Sequence, residues 1–294
     1  FLVSAPSGIS RELLYLQLCN ALIPPPNDHS SFINALRQIE PLCISLEEQE
    51  PTELCQSLDR GLSGVFGRPD GAFEVLIDTL DGLDQLTQQA VEHARHADQG
   101  WLACGWCPRD SWKEGYLFAI EVSRVLAAPL DPVERLEILV VGCALQVLRS
   151  LCAQSARYVA MERAEGPWGY AWVMTPPEGA SAPLRIASQR NLQVVQRMIY
   201  QALRGDALAA NASGARVTVD RLYREADRCY GHKLLLSLGK RLGLIVPKSG
   251  RGARWVMTDE VLRYLVLALL PPGKRCTYDT FLRRLYLHYG MAVE

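Results

Sequence analysis

The sequence contains no long run of uncharged apolar residues. Its most hydrophobic stretch, Leu136–Leu148, carries Glu137 and Gln146 and falls short of the ~18 apolar residues that suggest a membrane span. A spanning helix is therefore not expected. A basic n-region followed by an apolar core and a small-residue cleavage site is also missing, so no secretory leader is expected. The chain opens at Phe1, and further residues upstream are expected. The nine cysteines follow no framework spacing, and Cys43, Cys143 and Cys152 lie inside apolar runs. That usage fits reduced, buried thiols better than disulfides and points to a soluble, cytoplasmic protein. Internal repeats and low-complexity tracts are absent. Five histidines and scattered acids assemble no Ser-His-Asp or Cys-His arrangement, which removes the usual ground for nucleophilic catalysis.

Net charge is nearly absent too, at −1, with 49% hydrophobic and 21% charged residues. Such a composition excludes an intrinsically disordered chain. The 294 residues leave room for two or three domains of about 100–200 residues each. The small net charge conceals an asymmetry. Residues Arg216–Glu294 hold 15 Lys+Arg against 7 Asp+Glu, while the rest of the chain holds 16 against 25. A basic end on an acidic body suggests one module that faces a polyanion.

Three punctuated segments divide the chain: Pro24-Pro25-Pro26-Asn27-Asp28, Pro176 through Pro183, and the Ala/Asn/Gly-rich stretch from Gly205 to Gly214. Before residue 112, strand and helix patterns alternate. Strands are expected at 1–3, 42–46, 73–77 and 101–104, with helices from Ser10 to about Leu22, from Pro51 to about Leu58, and over 83–97. Alternation of this kind favours a parallel sheet with crossover helices. After Trp112 the patterns are helical. Asp131-Pro132-Val133-Glu134 combines a cap, Pro at the first helical position and Glu three residues on, and opens a helix to about Arg157. Its apolar stripe is expected along Val133, Leu136, Val140, Cys143, Val147 and Leu151, widened by Ile138, Val141 and Leu148, with Arg149 and Arg157 pairing to Glu134 or Glu162. A short strand at 170–174 and a helix over 191–203 follow.

At the start of the chain, a strand, a small-residue loop and a helix form the geometry that aims backbone N–H groups at phosphate oxygens. Against the pattern G-x-x-x-x-G-K-[ST], the segment Val3-Ser4-Ala5-Pro6-Ser7-Gly8-Ile9-Ser10 keeps the second Gly and the terminal Ser. Val3 stands for the first Gly and Ile9 for the Lys. Phe73–Asp78 has the form of the strand that presents a Mg²⁺-linked Asp, but Thr79 follows where a catalytic Glu often stands. This N-terminal region resembles a degenerate P-loop domain of the AAA+ and signalling-ATPase type. The resemblance makes Gly8, Ser10 and Asp78 the nucleotide-binding candidates; without the Lys and the Glu, hydrolysis is not expected and no cofactor is expected, with bound ATP and Mg²⁺ as the alternative. An unrelated α/β domain, in which Gly8 and Ser10 are turn and cap residues, stays open.

From residue 217 the pattern is a short strand, a helix over 220–229, a turn at Tyr230-Gly231, and a second helix from His232 to about Leu242 with Leu234, Leu235, Leu238 and Leu242 inward. Gly243 ends that helix. A hairpin of 244–246 and 253–257 follows, with the basic, glycine-rich tip Pro247-Lys248-Ser249-Gly250-Arg251-Gly252. The segment LGKRLGLIVPKSGRGARWVMT resembles the winged helix-turn-helix family. That resemblance implies DNA as partner, with Lys233, Lys240 and Arg241 on the recognition helix and Lys248, Arg251 and Arg254 on the wing. The helix is poor in Asn and Gln, so backbone contact rather than base reading is expected. Helices over 261–270 and 277–289 close the chain. A metal-like cluster, His93 and His96 with Cys104-x₂-Cys107, has the ligand types of a zinc site. The second pair sits in what reads as a buried strand and turn, so packed thiols beside surface histidines are expected and no metal.

The expected architecture is mainly α: an α/β, P-loop-like domain over residues 1–115, a helical domain over 116–205, and a winged-helix domain over 206–294. The expected function is a non-enzymatic DNA-binding adaptor in a larger prokaryotic complex of the antiviral-defence or mobile-element kind, with partner proteins on its acidic body and no membrane. An ATP-binding regulator, and a winged helix used only for protein docking, are the alternatives.

Overall fold

The computed structural model describes residues 14, 17, 18, 51–66, 112–159, 167–204, 219–229 and 231–294. Over these the protein is mainly helical, with two small sheets. It divides into two compact units, Phe1–Glu137 and Ile138–Glu294. The expected strands at 1–3, 42–46, 73–77 and 101–104, and with them the parallel sheet, lie outside the described residues.

In the first unit, helix α1 (Pro51–Phe66) packs on helix α2 (Trp112–Ala127). Sequence reasoning ends α1 near Leu58; Gly61 and Gly64 follow, and glycine in general disfavours a helix interior. The helix continues because the glycine is where its neighbour approaches: a Cβ on Gly61 would lie 2.7 Å from Leu126 Cβ. One turn earlier, the Ser57 and Ser123 hydroxyls meet at 2.8 Å. Helix α2 is buried nearly all round, from Tyr116 through Ile120 to Val125, which places it at the centre of its unit.

Helix α3 (Pro132–Val159) begins as expected, with Asp131 Oδ1 accepting from Val133 N at 2.9 Å. The boundary between units falls inside it, at Glu137/Ile138. The expected apolar stripe is buried only in part: Ile138, Val147 and Leu148 are buried, but Val133 and Val140 are 53% and 66% exposed, and Gly142, Leu145, Gln146, Arg149 and Cys152, outside that stripe, are buried instead. By length and composition α3 is able to cross a membrane, with hydropathy 1.8 over an 18-residue window, and half of that window is buried against the rest of the chain.

The second unit is built on an extended segment and one long helix. Strand β1 (Trp172–Val173) pairs in parallel with β4 (Met291–Ala292), with Trp172 opposite Met291. Two residues on, Thr175 bridges to Val256, so the segment ties the chain's last strand to the hairpin of β2 (Ile245–Val246) and β3 (Arg254–Trp255). Trp172 and Trp255 stack across this junction with ring centroids 5.0 Å apart. Burial of two such rings, with Met174, Ile245 and Met291 around them, makes this the core of the unit.

Helix α4 (Ala182–Ala202) covers the junction. Sequence reasoning starts it at Asn191, taking Pro183 as part of a loop. Pro183 instead sits in the first turn behind the N-cap Ser181, whose hydroxyl accepts from Leu184 N, a position where Pro costs no hydrogen bond. Polar residues of α4 then hold strand edges. Asn191 accepts from Val173 N and donates to the Ala171 carbonyl. Buried Ser188 accepts from Trp255 N at 3.0 Å. Ser188→Ala leaves that amide buried without a partner and is expected to cost about 1–2 kcal/mol, read as a shift of the urea midpoint at unchanged slope.

The remaining helices are α5 (Val219–Cys229), α6 (His232–Arg241), α7 (Asp259–Leu269) and α8 (Tyr278–Tyr289). Thr277 caps α8, and Gly290 ends it at φ 70° in the left-handed region. On one face of α3, Gly142 makes room for the Tyr264 ring of α7; Tyr264 and the Tyr289 of α8 join through their hydroxyls at 3.1 Å. Glu162, one expected partner of Arg149, lies outside the described residues, and Arg149 itself is in the core. It is wholly buried, donates to Gln146 Oε1 and to the His288 carbonyl, and lies 4.5 Å from the Tyr289 ring.

Candidate nucleic-acid interface

Residues 219–255 fold as a helix, a turn at Gly231, a second helix and an antiparallel hairpin. Helix α6 is fixed by its small residues as much as by its leucines. Gly239 is buried so closely against β2 that a Cβ would stand 2.5 Å from Ile245 Cδ1. Leu235 shares that buried face, while Leu234, Leu238 and Leu242, expected inward, are only half-buried. With Leu235 and Gly239 turned in, the opposite face presents Lys233, Ser237 and Arg241, four residues apart and all exposed. Lys240 is half-buried.

The hairpin turn is shaped by glycine. Gly250 and Gly252 take φ of 90° and 84°, a conformation that side chains other than glycine rarely adopt. Lys248 and Arg251 are exposed on the turn, and Arg254 is half-buried on β3. The turn is tied back to α4 by Gln189 Nε2, which donates to the Gly252 carbonyl at 3.3 Å.

Between the turn and α4 runs an open groove of about 460 Å³, lined by Ala182, Arg185, Ile186, Gln189, Pro247, Arg251, Gly252 and Arg254. Arg251 and Arg254, both expected at the wing, thus meet in one place. Arg185, from the first turn of α4, joins them. Sequence reasoning missed Arg185 because it placed residues 176–183 in a loop and began the helix six residues too late to count it. Lys248 stands on the same turn without lining the groove. Among the described residues, no carboxylate forms an ion pair with Lys240, Arg241, Lys248, Arg251, Arg254 or Arg185; the ion pair found there joins Arg204 to Asp227 at 2.7 Å.

That pair fixes the base of the module. Arg204 bonds both carboxylate oxygens of Asp227 and lies over the Tyr200 ring. The hydrogen bonds hold the Asp227 carboxyl below its usual range, with Arg204, His232 and Lys233 adding electrostatically in the same direction. Lys233 therefore stands partly in the field of an anion.

Gly8, Ser10 and Asp78, and the metal candidates His93, His96, Cys104 and Cys107, lie outside the described residues. Among the described residues no group of His, Cys, Asp and Glu is placed to hold a metal ion. Burial pushes the half-buried Cys143 thiol up to about 11 and the buried Cys152 thiol up to about 12, which keeps them in the unreactive thiol form at neutral pH. The chain matches no family model, no curated protein and no solved structure.

Proposed function

We propose that this chain is a non-enzymatic DNA-binding adaptor whose C-terminal unit carries a winged helix-turn-helix module, with α6 as the helix that lies along the duplex and the β2–β3 turn as the wing. The observation that carries this reading is the set of exposed cations on consecutive elements, Arg241 on α6 and Lys248 and Arg251 on the turn, left without carboxylate partners among the described residues. A folded protein near charge neutrality gains nothing in stability from such an arrangement, since like charges repel. Phosphates would relieve it. The positive-φ glycines let the turn's backbone approach a sugar–phosphate chain closely, and the exposed face of α6 offers Lys, Ser and Arg rather than the Asn and Gln that read adenine. Contact is with the backbone, and affinity for different sequences is similar.

In this reading the acidic remainder of the chain docks partner proteins of a larger prokaryotic complex in the cytoplasm, and the N-terminal region is a P-loop-like domain that does not hydrolyse ATP. The test is a salt titration against a fluorescent duplex. Raising salt from ~50 to ~200 mM is expected to weaken binding by about a hundred- to a thousandfold for roughly four to six contacted phosphates. Affinity indifferent to salt, or no binding at low salt, refutes the DNA reading and leaves protein docking.

A further inference from the structure

The groove between α4 and the hairpin is lined by three arginines, Arg185, Arg251 and Arg254, and among the described residues by no carboxylate. They come from two separate elements. Arg254 Nε is buried and has no hydrogen-bond acceptor. A buried donor left unpaired is a standing cost at the edge of the groove. The planar guanidinium donates paired N–H groups that fit the oxygens of a phosphate. The two walls keep their separation because Gln189 on α4 bonds the Gly252 carbonyl of the turn. Ile186, 48% exposed, and Pro247 supply an apolar wall beside the cations, suited to the sugar that flanks a phosphate.

We infer that this groove clamps one backbone phosphate of a bound nucleic-acid strand from two sides, with Arg185 on the helix closing against Arg251 and Arg254 on the hairpin. The inference rests on the nucleic-acid reading above and adds to it a second element, α4, that grips the strand. A wing acting alone holds a phosphate from one side and is free to swing; a phosphate held between helix and hairpin fixes the register of the whole module on the duplex.

The test compares Arg185→Gln with Arg197→Gln, an equal charge change at an exposed site on the same helix, about 18 Å further along it. Arg185→Gln is expected to weaken duplex binding about three- to tenfold near 100 mM salt and to reduce the salt slope by about one, while Arg197→Gln changes neither. Both variants and the wild type are also heated with and without inorganic phosphate. Phosphate is expected to raise the melting temperature of the wild type and of Arg197→Gln, but not of Arg185→Gln. If the duplex binds and the two variants behave alike, the clamp is overturned while the wing reading stands. If no duplex binds, the nucleic-acid reading falls and the strand clamp with it; an Arg185-dependent phosphate shift then leaves a site for free anions only. If phosphate stabilises the wild type but duplex affinity ignores Arg185→Gln, the groove takes free phosphate and the strand clamp is again overturned.

Discussion

Arg251→Glu combined with Arg254→Glu is expected to remove duplex binding, by on the order of a hundredfold or more near 100 mM salt, because two attractive phosphate contacts become two repulsive ones. The loss should be the same for unrelated duplexes, since backbone contacts carry no sequence information. Folding is not what fails. Arg251 is exposed on the turn, and Arg254 forms no ion pair with any described residue, so neither reversal removes a stabilising partner. Arg254 is half-buried, however, and a carboxylate there meets a less forgiving environment. Lys248→Glu with Arg251→Glu, both on the exposed turn, supplies the companion measurement. It should melt as the wild type does and still lose most of its affinity. If both double variants keep wild-type affinity while folded, the hairpin does not face nucleic acid.

Local chemistry made the hairpin legible from the sequence. Gly250 and Gly252 sit where the chain needs positive φ, and the apolar runs on either side are short enough for strands, so the turn and its cations could be placed without coordinates. Capping was equally informative at Asp131, whose side chain satisfies a first-turn amide of α3. What resisted reading depends on contacts remote in sequence. The parallel pairing of Trp172 with Met291 has no local signature. Arg185 carries no mark distinguishing it from Arg190 or Arg197 until α4 is laid against the hairpin. Pro183 misled because a proline near the start of a helix and a proline in a loop look alike when the cap, Ser181, is one polar residue among several.

Helix α3 shows the failure most clearly. Apolar residues surround it nearly all the way round, so several stripes satisfy helical periodicity equally well. The burial of Gly142, Gln146 and Arg149 selects the true one, and those are the residues that a search for apolar periodicity discards. Gly142 is there for the Tyr264 ring, whose Cζ would stand 2.7 Å from a Cβ at that position. Gln146 and Arg149 are there for a polar purpose inside the core.

That purpose yields the largest stability effect expected of this protein. Arg149→Met preserves most of the side-chain volume, yet is expected to cost about 2–5 kcal/mol, because at least two buried acceptors each lose a donor. One is Gln146 Oε1 and another is the His288 carbonyl. The second is the more consequential. His288 lies in the last turn of α8, where carbonyls have no intrahelical donor and the helix end carries partial negative charge. A guanidinium delivered from α3 satisfies that end and rests against the Tyr289 ring, adding a cation–π attraction that methionine lacks. The loss should appear as a melting temperature lower by about 5–15 °C. Arg149→Lys should rescue only part of it, since an ammonium keeps the charge but not the fork that reaches two acceptors at once. Duplex affinity measured below the transition should not change, because Arg149 is buried away from solvent and contributes no cation to the groove. A methionine variant that melts with the wild type would show that α8 docks on α3 through its apolar contacts alone.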